Sequence, residues 1–426
     1  MIRFFRTAMV TIAVMSTMFG QALAETWHVT FNVGSYGPTE VIADLDRDGD
    51  AIAFRSPGFD LDFACESDTC TATTGGGNTV TLNFTEGGLS GNVTAGGLAG
   101  DIEGLVTDQS IDEPVRDYVS IGEEIIVLLQ QNAFSRASTE TPEFIAFTAS
   151  FRQRAATAHN DIEFAHAMRE EWSNAHPFSH VDLVRARMPV AAMVEYLDGM
   201  RLGFEVARLE WQDEIAVLTV DSMMGNDTIE QIEAAYDEIA VRGARGLIID
   251  LRANGGGAFA VKPLVEHVID EPIDAGYFVS RQWTENNDGL PNAGDVESQT
   301  PWTGWSIRTF WADVLSRGVV RIRMTPDANN FDGPVIVLAS ESTASAAEMA
   351  VDALKASGVA VIVGEQTEGA MLSQTMFDVT GGYQLSLPIA DYYSSTHGRI
   401  EGVGVTPDVI TSAEEAMDVA LAMLAE

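Results

Sequence analysis

After Leu202 the chain alternates short, unbroken apolar runs with stretches of helical spacing, and this alternation restricts its fold more than any other feature of the 426 residues. Ile215–Val220, Leu247–Leu251, Val335–Ala339 and Ala360–Val363 read as strands, whereas Thr228–Ala240 and Ser345–Ala356 read as helices. Strands and helices in alternation cover one another's apolar faces as layers, so residues 201–426 are expected to form an α/β core. Upstream the pattern changes. Val80, Leu82 and Phe84 alternate with Thr81 and Asn83, the period of a strand with one buried face, and Val41–Ala43 and Ala51–Phe54 flank an Asp-rich, Gly-containing turn. Residues 25–107 are therefore expected to be a small β-rich domain. Residues 108–200 are expected to be a helical domain, because Ile125, Val127, Leu128 and Phe134, then Phe144, Phe147 and Phe151, then Phe164 and Met168 recur at helical spacing.

The amino terminus is of another kind. Arg3 and Arg6 precede an apolar run from Ala8 to Phe19, and Ala22-Leu23-Ala24 offers small residues at a cut site before Glu25. This reads as a secretory signal over residues 1–24. The run is shorter than the roughly 20 residues that cross a bilayer, so the expectation is a periplasmic or secreted chain with no membrane insertion after cleavage. With 63 acidic residues against 24 basic ones the formal charge is −39, which repels nucleic acid and anionic lipid and argues against either as a partner. Cys65 and Cys70 lie five apart in this exported chain, which predicts a short-loop disulfide, and no His stands near them to complete a zinc set. Asp44, Asp46, Asp48 and Gly49 imitate the start of a calcium loop, but the twelfth position holds Arg55 where a bidentate Glu belongs. Calcium at residues 44–50 stays open. No metal or other cofactor is otherwise expected.

Two segments carry the chemistry. The strand Gly246–Leu251 runs through Arg252-Ala253-Asn254 into Gly255-Gly256-Gly257, and glycines let a backbone approach a ligand closely with its N–H groups turned outward. The strand Val335–Ala339 leads through Ser340–Ala344 to Ser345 at the start of a helix, where helix N–H groups lie near any oxyanion formed on a substrate. Ser345 followed three residues later by Glu348 also reads as a plain helix capping box.

Taken in order, GLIIDLRANGGG, GPVIVLASESTASAAE, VIVGEQTEG and GRIEGVGVTPDV resemble four blocks of the tail-specific (C-terminal processing) serine protease family, across much of Gly246–Val409. The resemblance implies a crotonase-like α/β catalytic core, Ser345 as nucleophile, and an oxyanion hole from the glycine loop near Gly255 and Gly256 with the backbone N–H of Ala346. The general base departs from the Ser/Lys pattern of that family, since the position of its Lys is Ala370 here. Only Lys262 and Lys355 occur in the chain, and Lys355 lies about 15 Å from Ser345 by helical rise. The pair Ser179-His180 is similar to the arrangement in the tricorn core protease branch, which uses Ser, His, a second Ser and Glu. Carried over, these are Ser345, His180, Ser179 and Glu401, with His176 and His397 as alternatives for the His. Too few residues separate His180 from the first core strand for the PDZ-type domain usual in the family. The segment 258–332, with Trp283, Trp302, Trp305 and Trp311, reads either as a substrate lid or as hydrophobic packing. The expected function is an exported serine endopeptidase acting on polypeptide. The alternatives are a non-catalytic ligand- or peptide-binding protein on the same fold, or a small ester or amide hydrolase.

Overall fold

A computed structural model describes residues 23–33, 38–73, 79–85, 88–95, 98–107 and 116–425. The expected secretory signal therefore lies outside the described residues, apart from Leu23 and Ala24.

Eight strands from Leu23–Val33 to Leu98–Val106 each pair with the next, and the last pairs with the first to close a barrel. Alternation explains its inside: Val29, Leu45, Ile52, Phe54, Phe63, Leu82 and Ile102 are all buried, and a barrel of eight strands is just wide enough for such side chains to fill. The Asp-rich segment is the hairpin its flanks predict. Asp48 pairs with Ala51 around Gly49, whose φ is 61°. Asp44, Asp46 and Asp48 consequently lie along the strand Pro38–Asp48 rather than in a metal-wrapping loop, and Asp44 accepts a hydrogen bond from Thr26 Oγ1 at 2.8 Å. No cluster of His, Cys, Asp or Glu fit to hold a metal occurs among the described residues. Cys65 and Cys70 face each other in register on the hairpin of Asp60–Glu66 and Thr69–Thr73 and form a disulfide.

Three helices follow, Tyr118–Asn132, Pro142–Ala155 and Asp161–Ala175, each started by a side-chain cap: Asp117, Thr141 and Asn160 accept from the N–H groups of Ser120, Phe144 and Glu163. Their apolar faces (Ile125, Leu129, Phe147, Phe151, Phe164, Met168, Trp172) pack into one core with Leu372, Val379, Tyr383, Leu385 and Leu387 of a later sheet. The barrel is anchored to this layer through Asp60, which accepts from His166 Nδ1 at 2.8 Å and Arg169 Nη2 at 2.7 Å. Burial alone would raise the Asp60 pKa, but these two partners bring it down to about 2.

The remainder is built on two sheets. The first runs in the order Ala207–Gln212, Ile215–Val220, Gly246–Asp250, Val335–Ala339, Ala360–Gly364, Val409–Ile410, parallel except for its first pair. Helices Asn226–Arg242 and Ala346–Ser357 cover one face and Ala416–Ala425 the other. Burial on both faces is why these strands read as unbroken apolar runs. The second sheet is antiparallel, in the order Val319–Met324, Ile273–Ser280, Tyr383–Ser394, Leu372–Val379, and the short strand Asp182–Arg185 pairs with the start of Tyr383–Ser394. Two of its strands lie inside the Trp-rich segment, which is thus part of the scaffold and not a lid alone. Helix Ala346–Ser357 packs against both sheets and is buried without interruption from Ala346 to Leu354. The fold thereby fixes the start of that helix.

Candidate active site

Ser345 stands between the strand Val335–Ala339 and the helix Ala346–Ser357 with φ 54° and ψ −121°, a backbone conformation that residues with a Cβ seldom adopt. Three contacts hold it there. The Ser345 N–H donates to Glu348 Oε2 at 3.0 Å, the Ala344 N–H donates to the Asn254 carbonyl at 3.0 Å, and Gly256 packs against the Ser345 side chain. A Cβ on Gly256 would sit 2.6 Å from the Ser345 Cβ, so no larger residue fits without moving the turn. The second glycine of the run is needed for close approach.

Ser345 Oγ lies 3.2 Å from His180 Nε2. His180 Nδ1 is 2.6 Å from Ser179 Oγ, whose hydroxyl donates to Glu401 Oε2 at 2.9 Å. Glu401 also accepts the N–H groups of Ser179 at 2.9 Å and Met371 at 2.8 Å. Since the Ser179 proton goes to Glu401, its oxygen is left to accept from Nδ1–H. That fixes the tautomer in which Nε2 is free to accept from the Ser345 hydroxyl. His180 has φ 63°, a second left-handed backbone in the same site. Burial pushes the His180 pKa down, and the nearby Glu401 carboxylate opposes it, so the imidazole is poised neutral.

The structure thus brings together Ser345, His180, Ser179 and Glu401. The other histidines weighed are engaged elsewhere: His397 Nδ1 is 2.7 Å from Asp352 Oδ1, and His176 ends the helix Asp161–Ala175. Lys355 pairs with Asp408 at 2.8 Å and donates to the Thr406 carbonyl at 2.6 Å. Lys262 donates to the Thr303 carbonyl at 2.7 Å, with its ammonium 4.3 Å from the Trp305 ring centre. Neither lysine hydrogen-bonds Ser345 among the described residues.

The glycine loop and Ala346 face the same space, but their donors differ. The Gly256 N–H is committed to Asn254 Oδ1 at 2.9 Å, which corrects its expected part as an oxyanion donor. The N–H groups of Gly255, Gly257 and Ala346 donate to no acceptor among the described residues.

The sequence reading named two further residues without seeing how they hold this arrangement. Asn254, fully buried, pins the glycine loop to the strand before it, donating from Nδ2 to the Val220 carbonyl at 2.9 Å. Glu348 does more than cap a helix. Its buried carboxylate accepts from Ser345 N, Thr367 Oγ1 at 2.5 Å, Gly369 N at 2.8 Å and Ala370 N at 2.8 Å, clasping the Ser345 turn to the loop that carries Ala370. Burial pushes its pKa up against the pull of those four bonds. Glu348→Gln sets an amide N–H₂ against donors that need an acceptor, and is expected to lower kcat about 10- to 100-fold with KM little changed, the cost of a small misplacement. Steady-state kinetics on one peptide check this, and an unaltered kcat would show the clasp to be irrelevant to turnover.

Beside Ser345 opens a cavity of about 700 Å³ with a mainly apolar wall, into which the glycine loop, His180 and Ala346 all face.

Residues 214–411 match the model of peptidase family S41. Over 186 residues the chain is 31% identical to the chloroplastic C-terminal processing peptidase of Tetradesmus obliquus, covering 43% of this chain and 32% of that one. Over 202 residues it is 24% identical to the carboxyl-terminal-processing protease of a Picosynechococcus species, covering 47% of this chain and 40% of that one. The chain thus spans 32% to 40% of the length of these curated relatives. The solved tricorn protease overlays on 94% of this chain and 46% of its own with a TM-score of 0.46 and 13% identity. The matched region contains Ser345, Glu401 and the glycine loop, and leaves Ser179 and His180 outside it.

Proposed function

We propose, from the match of residues 214–411 to the model of peptidase family S41, that the chain is an exported serine endopeptidase of that family, cleaving polypeptide with Ser345 as nucleophile and His180 as general base. The observation that carries this reading is the unbroken run of hydrogen bonds from Ser345 Oγ through His180 and Ser179 to Glu401. Ser345 Oγ attacks the scissile carbonyl as His180 Nε2 takes its proton. Ser179 and Glu401 keep Nδ1–H in place and stabilise the imidazolium while it lasts. The oxyanion is received by the N–H of Ala346 and by the glycine loop through Gly255 or Gly257, at the N-terminal end of a helix whose dipole favours negative charge there. His180 then returns the proton to the leaving amine. Water, deprotonated by the same imidazole, hydrolyses the acyl ester and frees Ser345. In this reading the layered core is of the crotonase-like type, and residues 1–24 direct export to the periplasm or beyond.

A fluorophosphonate probe tests the proposal, because it forms a covalent bond only with an activated serine. Peptide mapping should find the adduct on Ser345. Absence of any adduct on the folded protein would leave the chain as a binding protein on the same fold.

A further inference from the structure

Six of the sixteen methionines border the cavity beside Ser345. Met324, Met349 and Met371 are buried in its wall, whereas Met193, Met224 and Met376 are half-buried and reach it from three different elements. Of these three, Met224 stands against the glycine loop, and its place is fixed. Its N–H donates to Ser222 Oγ at 3.1 Å and its carbonyl accepts from Thr228 Oγ1 at 2.6 Å. The preceding Met223 donates to the Gly256 carbonyl at 2.8 Å and accepts from the Ala258 N–H at 3.0 Å. A Cβ on Gly257 would stand 2.8 Å from Met224 Cγ, so this side chain lies directly on a glycine whose N–H has no acceptor among the described residues. We propose that Met224 is a modification site: a hydroperoxide oxidises its thioether to the sulfoxide, and the sulfoxide silences hydrolysis by occupying the glycine-loop N–H groups that would receive the oxyanion. The inference rests on the peptidase reading and adds a place at which that activity is switched off.

In the oxidation, the Met224 Sδ lone pair attacks the outer oxygen of the hydroperoxide. An S–O bond forms as the O–O bond breaks, and the departing alkoxide keeps the proton. Sulfur gives up two electrons, and the peroxide is reduced to an alcohol, or to water when it is hydrogen peroxide. No thiol takes the oxidant first, because the only two cysteines of the chain are joined as Cys65–Cys70. The change in hydrogen bonding is what couples this step to catalysis. A thioether is a weak acceptor and leaves neighbouring N–H groups free, whereas the sulfoxide is polar and its oxygen accepts strongly. Such an oxygen beside Gly257 competes with the substrate's oxyanion for the same donors. Met193, on the helix Val190–Gly199, and Met376, on the strand Leu372–Val379, border the cavity away from that loop and serve as internal comparisons.

Graded exposure to hydrogen peroxide tests the proposal, with sulfoxides mapped by mass spectrometry and hydrolysis of one peptide measured after the peroxide is removed. Each variant is read as its treated activity divided by its untreated activity. In the unsubstituted protein kcat is expected to fall in proportion to the oxidised fraction of Met224, reaching about 100-fold at full oxidation, the cost of losing one oxyanion donor. Met224→Leu, which keeps the apolar bulk but has no sulfur to oxidise, should retain most of its activity under the same exposure. Met193→Leu and Met376→Leu should lose theirs as the unsubstituted protein does. Full oxidation of Met224 with activity kept would overturn the proposal. So would a loss that Met224→Leu does not prevent, or a Met224 that stays reduced while Met193 and Met376 are oxidised. All three results leave the peptidase reading in place, whereas untreated protein that cleaves no peptide would overturn that reading and this inference with it.

Discussion

Ser345→Ala is expected to reduce hydrolysis of an unstructured protein by about a million-fold, the cost of removing a serine nucleophile whose partners act as one unit. The fold should survive, because alanine keeps the Cβ that packs on Gly256 and leaves the Ser345 backbone bond to Glu348 intact. The hydroxyl is lost from its contact with His180, 3.2 Å away. Turnover measured together with circular dichroism checks both halves. A folded variant that still cleaves at the wild-type rate would mean that another group attacks the carbonyl.

His180→Ala is expected to lower turnover by roughly 100- to 10,000-fold, the usual contribution of one positioned base. The pH profile of the intact protein gives the sharper test. Only the neutral imidazole accepts the Ser345 proton, so activity should rise with pH as His180 deprotonates. Burial depresses its pKa, so the midpoint should fall below the ordinary His value of about 6.5. The same shift bears on stability. Unfolded chains take up a proton at His180 near the ordinary value while the folded site resists it, so folding stability is complete above that pH and declines as pH drops toward the lower folded value. Rates measured from about pH 4 to 9, a span that brackets the His ionisation, with His180→Ala and His397→Ala alongside, decide the assignment. An acidic limb centred at or above the ordinary His value, or one that disappears only in His397→Ala, would remove His180 from the role.

Some of this was visible in the sequence for physical reasons. Ile215–Val220 and Val335–Ala339 are strands over the very residues that read as strands, because a layer covered on both faces leaves no polar interruptions. Ser345 was visible because its strand, turn and helix are local. Its partners were not, since His180 lies 165 residues away in the chain and sequence spacing says nothing of that distance in space. Only the likeness to the tricorn branch pointed to Ser179, His180 and Glu401. The second sheet went unread. Its longest strand, Tyr383–Ser394, carries buried Gln384, Ser386, Asp391 and Ser394, which break the alternation by which strands are recognised. Closure of the barrel was equally hidden, because a period of two names strands without saying that the first meets the last. The question of calcium was left open for a related reason: acids two apart mark a metal loop only where the backbone wraps, and from Asp44 to Asp48 it is extended.

If the chain cuts polypeptides as proposed, it shares its solution with copies of itself, and self-digestion begins where backbone opens locally, not where it is merely exposed. The helix that follows Ser345 is enclosed from Ala346 to Leu354 between two sheets, so it opens only when the whole core does. Damage to the periphery can therefore accumulate while the nucleophilic turn persists, and the working life of the site is set by global unfolding of the core instead of by the first nick.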